Sequence, residues 1–265
     1  MRRWRQMARR AEAIAAQREP LSKERVLRTA MRLADQGGIE SLSMRKLAQE
    51  LGVEAMSLYY YVASKDDILN GIVDVVVSEI ELPSGGPDWK AALRRSAVSF
   101  HNALVRHRWA ANLMMSGRGH GLARVRYMDA LLRRLRQAGF SPELTHHAYH
   151  ALDSHIMGST LWAAAYTTMA KVNPDVAQNF LRRLPLDQYP DFAEHAQQHI
   201  TKSGPKDKSE FEFGLDLILD GLATIRGTAS GRSGAAAESP QPTSRPVRRA
   251  RTDTPRARRR RRPNR

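Results

Sequence analysis

Apolar residues along this chain recur at three- and four-residue intervals, the period of helices with one buried side. In residues 22–36, SKERVLRTAMRLADQ, Val26, Ala30, Leu33 and Ala34 share a face, Ser22 can cap the start and Gly37-Gly38 can end the helix. In 43–51, SMRKLAQEL, Leu47 pairs with Leu51 behind a Ser43 cap, and Gly52 breaks the helix. A short helix is expected from about Glu54 to Val62. Another is expected over 65–80, opened by Ser64 and carrying the apolar run Ile68, Leu69, Ile72, Val73, Val76 and Val77. Asp66 and Asp67 fall in its first turn, where the helix dipole favours carboxylates. ELPSGGPD, at 81–88, reads as a linker. Beyond it, helices are expected over about 88–108, 120–138, 142–169 and 209–226, with 170–208 mostly loop around a short helix near 190–200. No alternating run bounded by hairpin turns argues for a sheet. The expected fold is all-α, a small N-terminal unit followed by a larger helical one.

A short helix, a glycine break and a second short helix make the layout of a helix-turn-helix, whose second helix enters the DNA major groove. That second helix contains the run Tyr59-Tyr60-Tyr61. At about 100° per residue three consecutive rings fan over about 200°, so they cannot all be core. On a wheel of 55–62, Leu58 and Val62 mark the buried side, Met56, Ser57 and Tyr60 lie opposite, and Tyr59 and Tyr61 stand on the flanks. Methyl, hydroxyl and phenol groups suit thymine-methyl contacts and hydrogen bonds to phosphate. For Tyr59, packing on a neighbouring helix is an equal alternative. Arg45, in the first turn of the preceding helix, can grip guanine O6 and N7 with two hydrogen bonds; a solvated surface arginine is the alternative. Lys65 is placed for a phosphate. Ser43 reads as a helix cap, and a hydroxyl at a helix N-terminus can also meet a phosphate.

Charge changes the picture at the two ends. The chain of 265 residues carries a formal +16. Residues 1–25 hold +5 and residues 228–265 hold +10, leaving a nearly neutral body at +1. Basic arms of this kind meet nucleic acid or another polyanion, or serve only as solubilising extensions. The last 38 residues are rich in Gly, Ser, Pro and Arg with almost no large apolar side chain, so a disordered tail is expected. The absence of cysteine excludes disulfides, thiolate catalysis and Cys-ligated zinc. No apolar run approaches the roughly 18 residues of a membrane span, and the first twenty residues lack the apolar stretch of a secretory signal. No membrane partner and a cytoplasmic location are expected. The organisation read from these features is a basic extension at 1–21, a helix-turn-helix unit at 22–80, a helical regulatory and dimerisation domain at 81–227 and a tail at 228–265.

LSMRKLAQELGVEAMSLYYYVASKDDIL (42–69), preceded by RVLRTAMRLADQGGIE, resembles the DNA-binding domain of the tetracycline-repressor (TetR) family over about residues 22–80. The resemblance implies a three-helix DNA-binding unit joined by a fourth helix to an all-α regulatory domain. Transferred by position, it implies that Arg45 reads a base and that Ala55, Met56 and Tyr59 face bases. It places Ser57, Tyr60, Tyr61 and Lys65 near phosphates, and Ser43 and Met44 at the helix start complete the expected DNA-contact set. Ala55 stands where tetracycline repressors carry a base-reading glutamine and Met56 where they carry proline, so the operator is expected to differ from theirs.

FEFGLDLILDGL (211–222) resembles the last helix of the same family's regulatory domain, more loosely back to about residue 87. In the family this helix and the long one before it form a four-helix bundle with a second subunit. Phe211, Leu215, Ile218, Leu219 and Leu222 form an apolar stripe, Gly214 and Gly221 permit close approach, and the long helix offers Ile156, Gly158, Leu161, Trp162 and Ala165. Burial of both helices inside one subunit is the alternative. A two-fold dimer requires a near-palindromic operator with half-sites about 34–36 Å apart or a multiple of that.

A small apolar effector is expected in the regulatory domain, with Phe100, Trp109, Met114, Met115, Met128, Trp162 and Tyr166 as candidate lining, each of which can equally be ordinary core. The positions aligned with the tetracycline-gripping residues are Glu81, Ser96, Phe100 and Met114, and only Phe100 retains the family's residue, so tetracycline is not expected to be the effector. His146, His150 and Asp153 share one helix face. Without an H-E-x-x-H pattern no metal is expected there, and no cofactor elsewhere. The expected function is a ligand-controlled DNA-binding repressor. The alternatives are an all-α enzyme using the histidines at 146–155, disfavoured by the absence of any catalytic motif, and a non-specific nucleic-acid-binding protein.

Overall fold

Ser22, Ser43 and Ser64 stand at three helix starts, and each does the same work. Their hydroxyls accept the backbone N–H of Arg25 at 3.2 Å, Lys46 at 3.2 Å and Asp67 at 3.1 Å, satisfying first-turn donors that have no partner within a helix. At the third start the Asp67 carboxylate also accepts the backbone N–H of Ala63, the residue before the cap, at 3.1 Å. The computed structural model of this protein describes residues 20–118, 121–172, 179, 181–196 and 209–235, with side chains for all of these but 166–172 and 229–235.

The helices opened by these caps are α1 (Lys23–Gly37), α2 (Met44–Leu51) and α3 (Lys65–Ser78). They pack on Val26, Ala30, Leu33, Leu47, Leu51 and Leu58. Gly52 turns the chain out of α2 in the left-handed region, at φ 70° and ψ 33°, a conformation glycine adopts without the Cβ penalty other residues carry. After the linker come α4 (Trp89–Arg106), α5 (Arg108–Met115), α6 (Leu122–Gln137), α7 (Pro142–Val172), α8 (Pro190–His195) and α9 (Glu210–Ala235). No strand occurs among the described residues.

Three elements depart from the periodicity reading. Residues 55–60 form a 3₁₀ helix rather than an α-helix, with Ser57 N–H to Glu54 O at 3.0 Å and Tyr61 N–H to Leu58 O at 2.9 Å. Six residues are too few for the α and 3₁₀ periods to be told apart in a sequence. The helix α5 had no counterpart in the pattern, since neither Gly nor Pro marks the break before it. The break is His107, at φ −111° and ψ 65°. The last helix runs to Ala235 instead of ending near 226. No proline intervenes before Pro240, and once a helix is nucleated each further residue of modest propensity costs only tenths of a kcal/mol. The tail expected to be disordered is thus helical over its first residues, and 236–265 lie outside the described residues, as do 1–19 of the basic extension. Residues Met1–Arg226 form one compact unit and Gly227–Arg265 a second.

The larger core joins α4, α6 and α7. Phe100 meets Tyr127 edge-on at 5.0 Å between centroids and Trp89 meets Phe140 the same way at 5.0 Å. Helix α9 is fastened across α4 by Arg94, which pairs with Asp216 at 2.8 Å and Glu212 at 3.0 Å, and by Lys90 with Asp220. Phe211 on α9 is stacked between His101 at 3.9 Å and His155 at 5.1 Å.

Candidate nucleic-acid interface and regulatory core

The 3₁₀ pitch sorts the side chains of 55–60 by threes, since residues i and i+3 eclipse. Leu58 is fully buried and Ala55, one turn back, packs against the same core. Met56 and Tyr59 form an exposed pair, and Ser57 lies behind Tyr60, which is 87% exposed. Tyr61, at 37%, leans on the flank where the chain turns toward α3. Arg45 and Ser43 are exposed on the first turn of α2, Met44 packs partly into the core and Lys65 is exposed on the first turn of α3. Arg45 and Lys65 have no ion pair or side-chain hydrogen bond among the described residues. The exposed side chains of the 3₁₀ helix and of the two helix starts beside it in sequence thus include two cations without a partner among the described residues, three phenols and a thioether. A solvated helix face normally carries paired charges. This one has the donors and methyls that phosphates and base edges accept.

In the larger domain a second group of polar residues lies in the core. The Arg124 guanidinium donates to both oxygens of Asp153, at 2.7 and 2.9 Å, and stands 5.4 Å over the Phe100 ring. Its Nη1 is buried without a hydrogen-bond partner. Tyr127 is fully buried, and burial, with Asp153 nearby, pushes its hydroxyl far above the usual tyrosine range, so it stays a neutral donor. Its hydroxyl meets Ser96, whose own Oγ donates to the Glu81 carbonyl at 2.6 Å. Arginine, tyrosine and serine donors thus converge beside an aromatic ring, with one donor unspent. A hollow of about 40 Å³ bounded by Val105, Arg108, Thr160, Ala163 and Ala164 lies elsewhere on the domain.

The pattern described as "Bacterial regulatory proteins, tetR family" matches residues 26–72, and "Tetracyclin repressor-like, C-terminal domain" matches residues 82–226. This chain belongs to the TetR family. It is a DNA-binding transcriptional regulator rather than an enzyme. Among relatives of the TetR family, it is 31% identical over 225 residues to the transcriptional repressor DrrR1 of Streptomyces coeruleorubidus, covering 80% of this chain and 81% of that protein. It is 29% identical over 214 residues to the class C tetracycline repressor of Escherichia coli, covering 79% and 94%. The solved structure of the TetR-family protein ActR from Streptomyces coelicolor in complex with actinorhodin matches with a TM-score of 0.66 at 28% identity, covering 79% of this chain and all of that one.

Set against this TetR-family frame, several expected site residues move. Trp109 does not line a pocket: it is buried, and its indole N–H donates to Asp35 Oδ1 on α1 at 2.7 Å. His107 Nδ1 lies 2.8 Å from the same oxygen, which as a carboxylate can only accept. Trp162 is 63% exposed and leaves the effector set for the surface. Phe100 is core beside the polar cluster, Met114 and Met128 are half-buried, and the side chain of Tyr166 lies outside the described residues. Asp153 is engaged by Arg124, which separates it from His146 and His150.

Most residues expected at a dimer contact are buried within the subunit. Ile156, Phe211, Leu215 and Leu222 are at most 6% exposed within one subunit, so they have no area left to give a partner. Leu161 and Ile218 are half-buried. The apolar surface of α9 that faces outward is the other one: Phe213, Leu217 and Ile225 are exposed, as is Trp162 on α7. A Cβ on Gly158 or Gly221 would meet nothing within 4 Å, whereas one on Gly214 would strike the His155 ring. The sequence could not tell the inner face from the outer one because α9 is apolar around most of its circumference. The spacing 211, 215, 219, 222 and the spacing 213, 217, 221, 225 are both helical stripes.

The Trp109–Asp35 bond ties the DNA-binding unit to α5. Trp109→Phe keeps the ring and removes one donor to a partly exposed carboxylate. It is expected to lower stability by about 1 kcal/mol and the melting temperature by about 2–4 °C, read by thermal denaturation.

Proposed function

We propose that this TetR-family regulator is a cytoplasmic homodimeric repressor that holds a palindromic operator and is released by a small-molecule effector. The observation carrying the DNA half is the exposed, unpaired surface of Arg45, Met56, Tyr60 and Lys65. Arg45 reads a base, Met56 and Tyr59 meet base edges, Ala55 stays with Leu58 on the core side rather than facing a base, and Ser43, Ser57, Tyr60, Tyr61 and Lys65 address phosphates. The partner subunit covers the stripe of Trp162, Phe213, Leu217 and Ile225, with Gly158 and Gly221 allowing the helices to close.

The effector half rests on the buried donors beside Phe100. Arg124 Nη1 without a partner asks for an acceptor, since a buried donor left unsatisfied is costly. An aromatic molecule bearing a carbonyl or carboxylate meets both the ring and the donors. Actinorhodin, found with ActR, is the first probe. Of the positions aligned with tetracycline-gripping residues, Ser96 and Phe100 border the cluster. Release of the protein from its operator by submillimolar tetracycline would overturn the reading that tetracycline is not the effector.

The function is tested by selecting bound sequences from random DNA with the full chain and with one ending at 227. A shared palindrome is expected from both. Loss of the tail should weaken all sites alike and flatten the dependence of log K on log salt by about 0.9 for each phosphate contact removed. No enriched sequence, with binding abolished by truncation, would replace the repressor by a non-specific nucleic-acid-binding protein.

A further inference from the structure

Helix α6 begins without a cap of its own. Its N-cap residue is Gly121, which has no side chain to accept from the first-turn amides, and such donors need a partner from outside the helix. The partner comes from α3, where the Asp74 carboxylate accepts the backbone N–H of Ala123 at 2.9 Å. Gly121 is what admits it. A Cβ at Gly121 would stand 2.1 Å from Asp74 Oδ1 and 2.4 Å from Cγ, so any larger residue drives the carboxylate off the helix end. Two turns earlier on α3, Asp66 receives Arg118 at 3.2 Å from the segment leading to α6.

The two helices joined here are the ones that matter to a regulator. Helix α3 begins four residues after Tyr61 and carries the DNA-binding unit. The first turns of α6 carry Arg124 and Tyr127, the donors of the buried cluster. We propose that Asp74 is the positioning residue that couples this cluster to the orientation of α3, and so to operator affinity. The inference rests on the regulator reading above. A ligand that accepts from Arg124 pulls on the helix end that Asp74 holds. Coupling between two sites is reciprocal by linkage, so operator binding must in turn change how readily the first turn of α6 opens. That consequence is measurable with no effector in hand.

The experiment is hydrogen exchange on the full chain, read by mass spectrometry over residues 121–127, with and without the operator obtained by selection. Wild type and Asp74→Asn, which keeps an oxygen acceptor, are expected to show an operator-induced rate change of about fivefold or more at these amides, the low end of ordinary allosteric coupling. Asp74→Ala and Gly121→Ala remove the cap by independent routes, and both should respond by less than about twofold, with operator-free exchange in α9 unchanged as a control on folding. If Asp74→Ala fails to fold, Gly121→Ala and Asp74→Asn decide the matter. An unresponsive wild type overturns the proposal, and so does an Asp74→Ala variant that loses melting temperature yet answers the operator as wild type does. A chain that selects no operator fails at the binding titration before exchange is read, and takes the regulator reading down with this one.

Discussion

Tyr60→Ala is expected to weaken operator binding by about 30- to 1000-fold and to move the melting temperature by less than about 2 °C. The ring is 87% exposed and contributes nothing to the core, so truncating it belongs with surface substitutions worth under about 0.5 kcal/mol. In the bound state the phenol has a phosphate to address. The loss of one hydrogen bond to a charged acceptor, with the ring contact, is worth about 1–2 kcal/mol. A two-fold dimer on a palindrome makes the contact twice, so the loss doubles, and every 1.4 kcal/mol is about tenfold. Titration of labelled operator beside a thermal melt checks both halves. Leu58→Ala, two residues away and fully buried, supplies the contrast, with an expected stability loss of about 2–5 kcal/mol. Unchanged operator affinity in Tyr60→Ala would remove the ring from the interface.

That contrast marks how far the sequence could be read. Leu58 and Val62 were legible as core because both sit opposite polar neighbours, and Tyr60 as outward for the converse reason. The helix type was not legible, since six residues complete no more than two turns of either period. The serine caps at 22, 43 and 64 were legible because a hydroxyl three residues before the amide that donates to it is a local event, complete within four residues. The bonds that cross the chain were not. Nothing in a sequence brings Trp109 to Asp35, or Asp74 to the amide of Ala123, and both indole and carboxylate read as generic until the fold closes those loops. Gly121 is visible in the sequence only as a glycine ahead of a helix, and its reason is a carboxylate 47 positions earlier. The buried donors around Arg124 were missed on similar grounds. The search for lining followed apolar and aromatic residues, while what distinguishes that core is an arginine with one unspent N–H.

Leu217→Asp is expected to leave each subunit folded, to convert the dimer to monomer, and to lower operator affinity by about 100-fold or more. Leu217 is 59% exposed on α9 while its neighbours one stripe away, Leu215 and Leu219, are fully buried, so the substitution changes the outer surface without opening a cavity. In the proposed four-helix interface the two-fold axis brings in two carboxylates at once. An unpaired charge desolvated in an apolar contact carries a penalty of several kcal/mol, and here like charges face one another. The DNA consequence follows from valency. Two linked heads on one palindrome exceed a single head by about 10²- to 10⁴-fold without any new contact, and that advantage is lost when the subunits part. Sedimentation gives the oligomeric state, far-ultraviolet circular dichroism the fold, and an operator titration the affinity. Leu215→Ala should do the opposite, destabilising the subunit by about 2–5 kcal/mol before it alters the association constant. A Leu217→Asp protein that remains dimeric would move the subunit contact off this stripe and restore the question of what Phe213, Leu217 and Ile225 face.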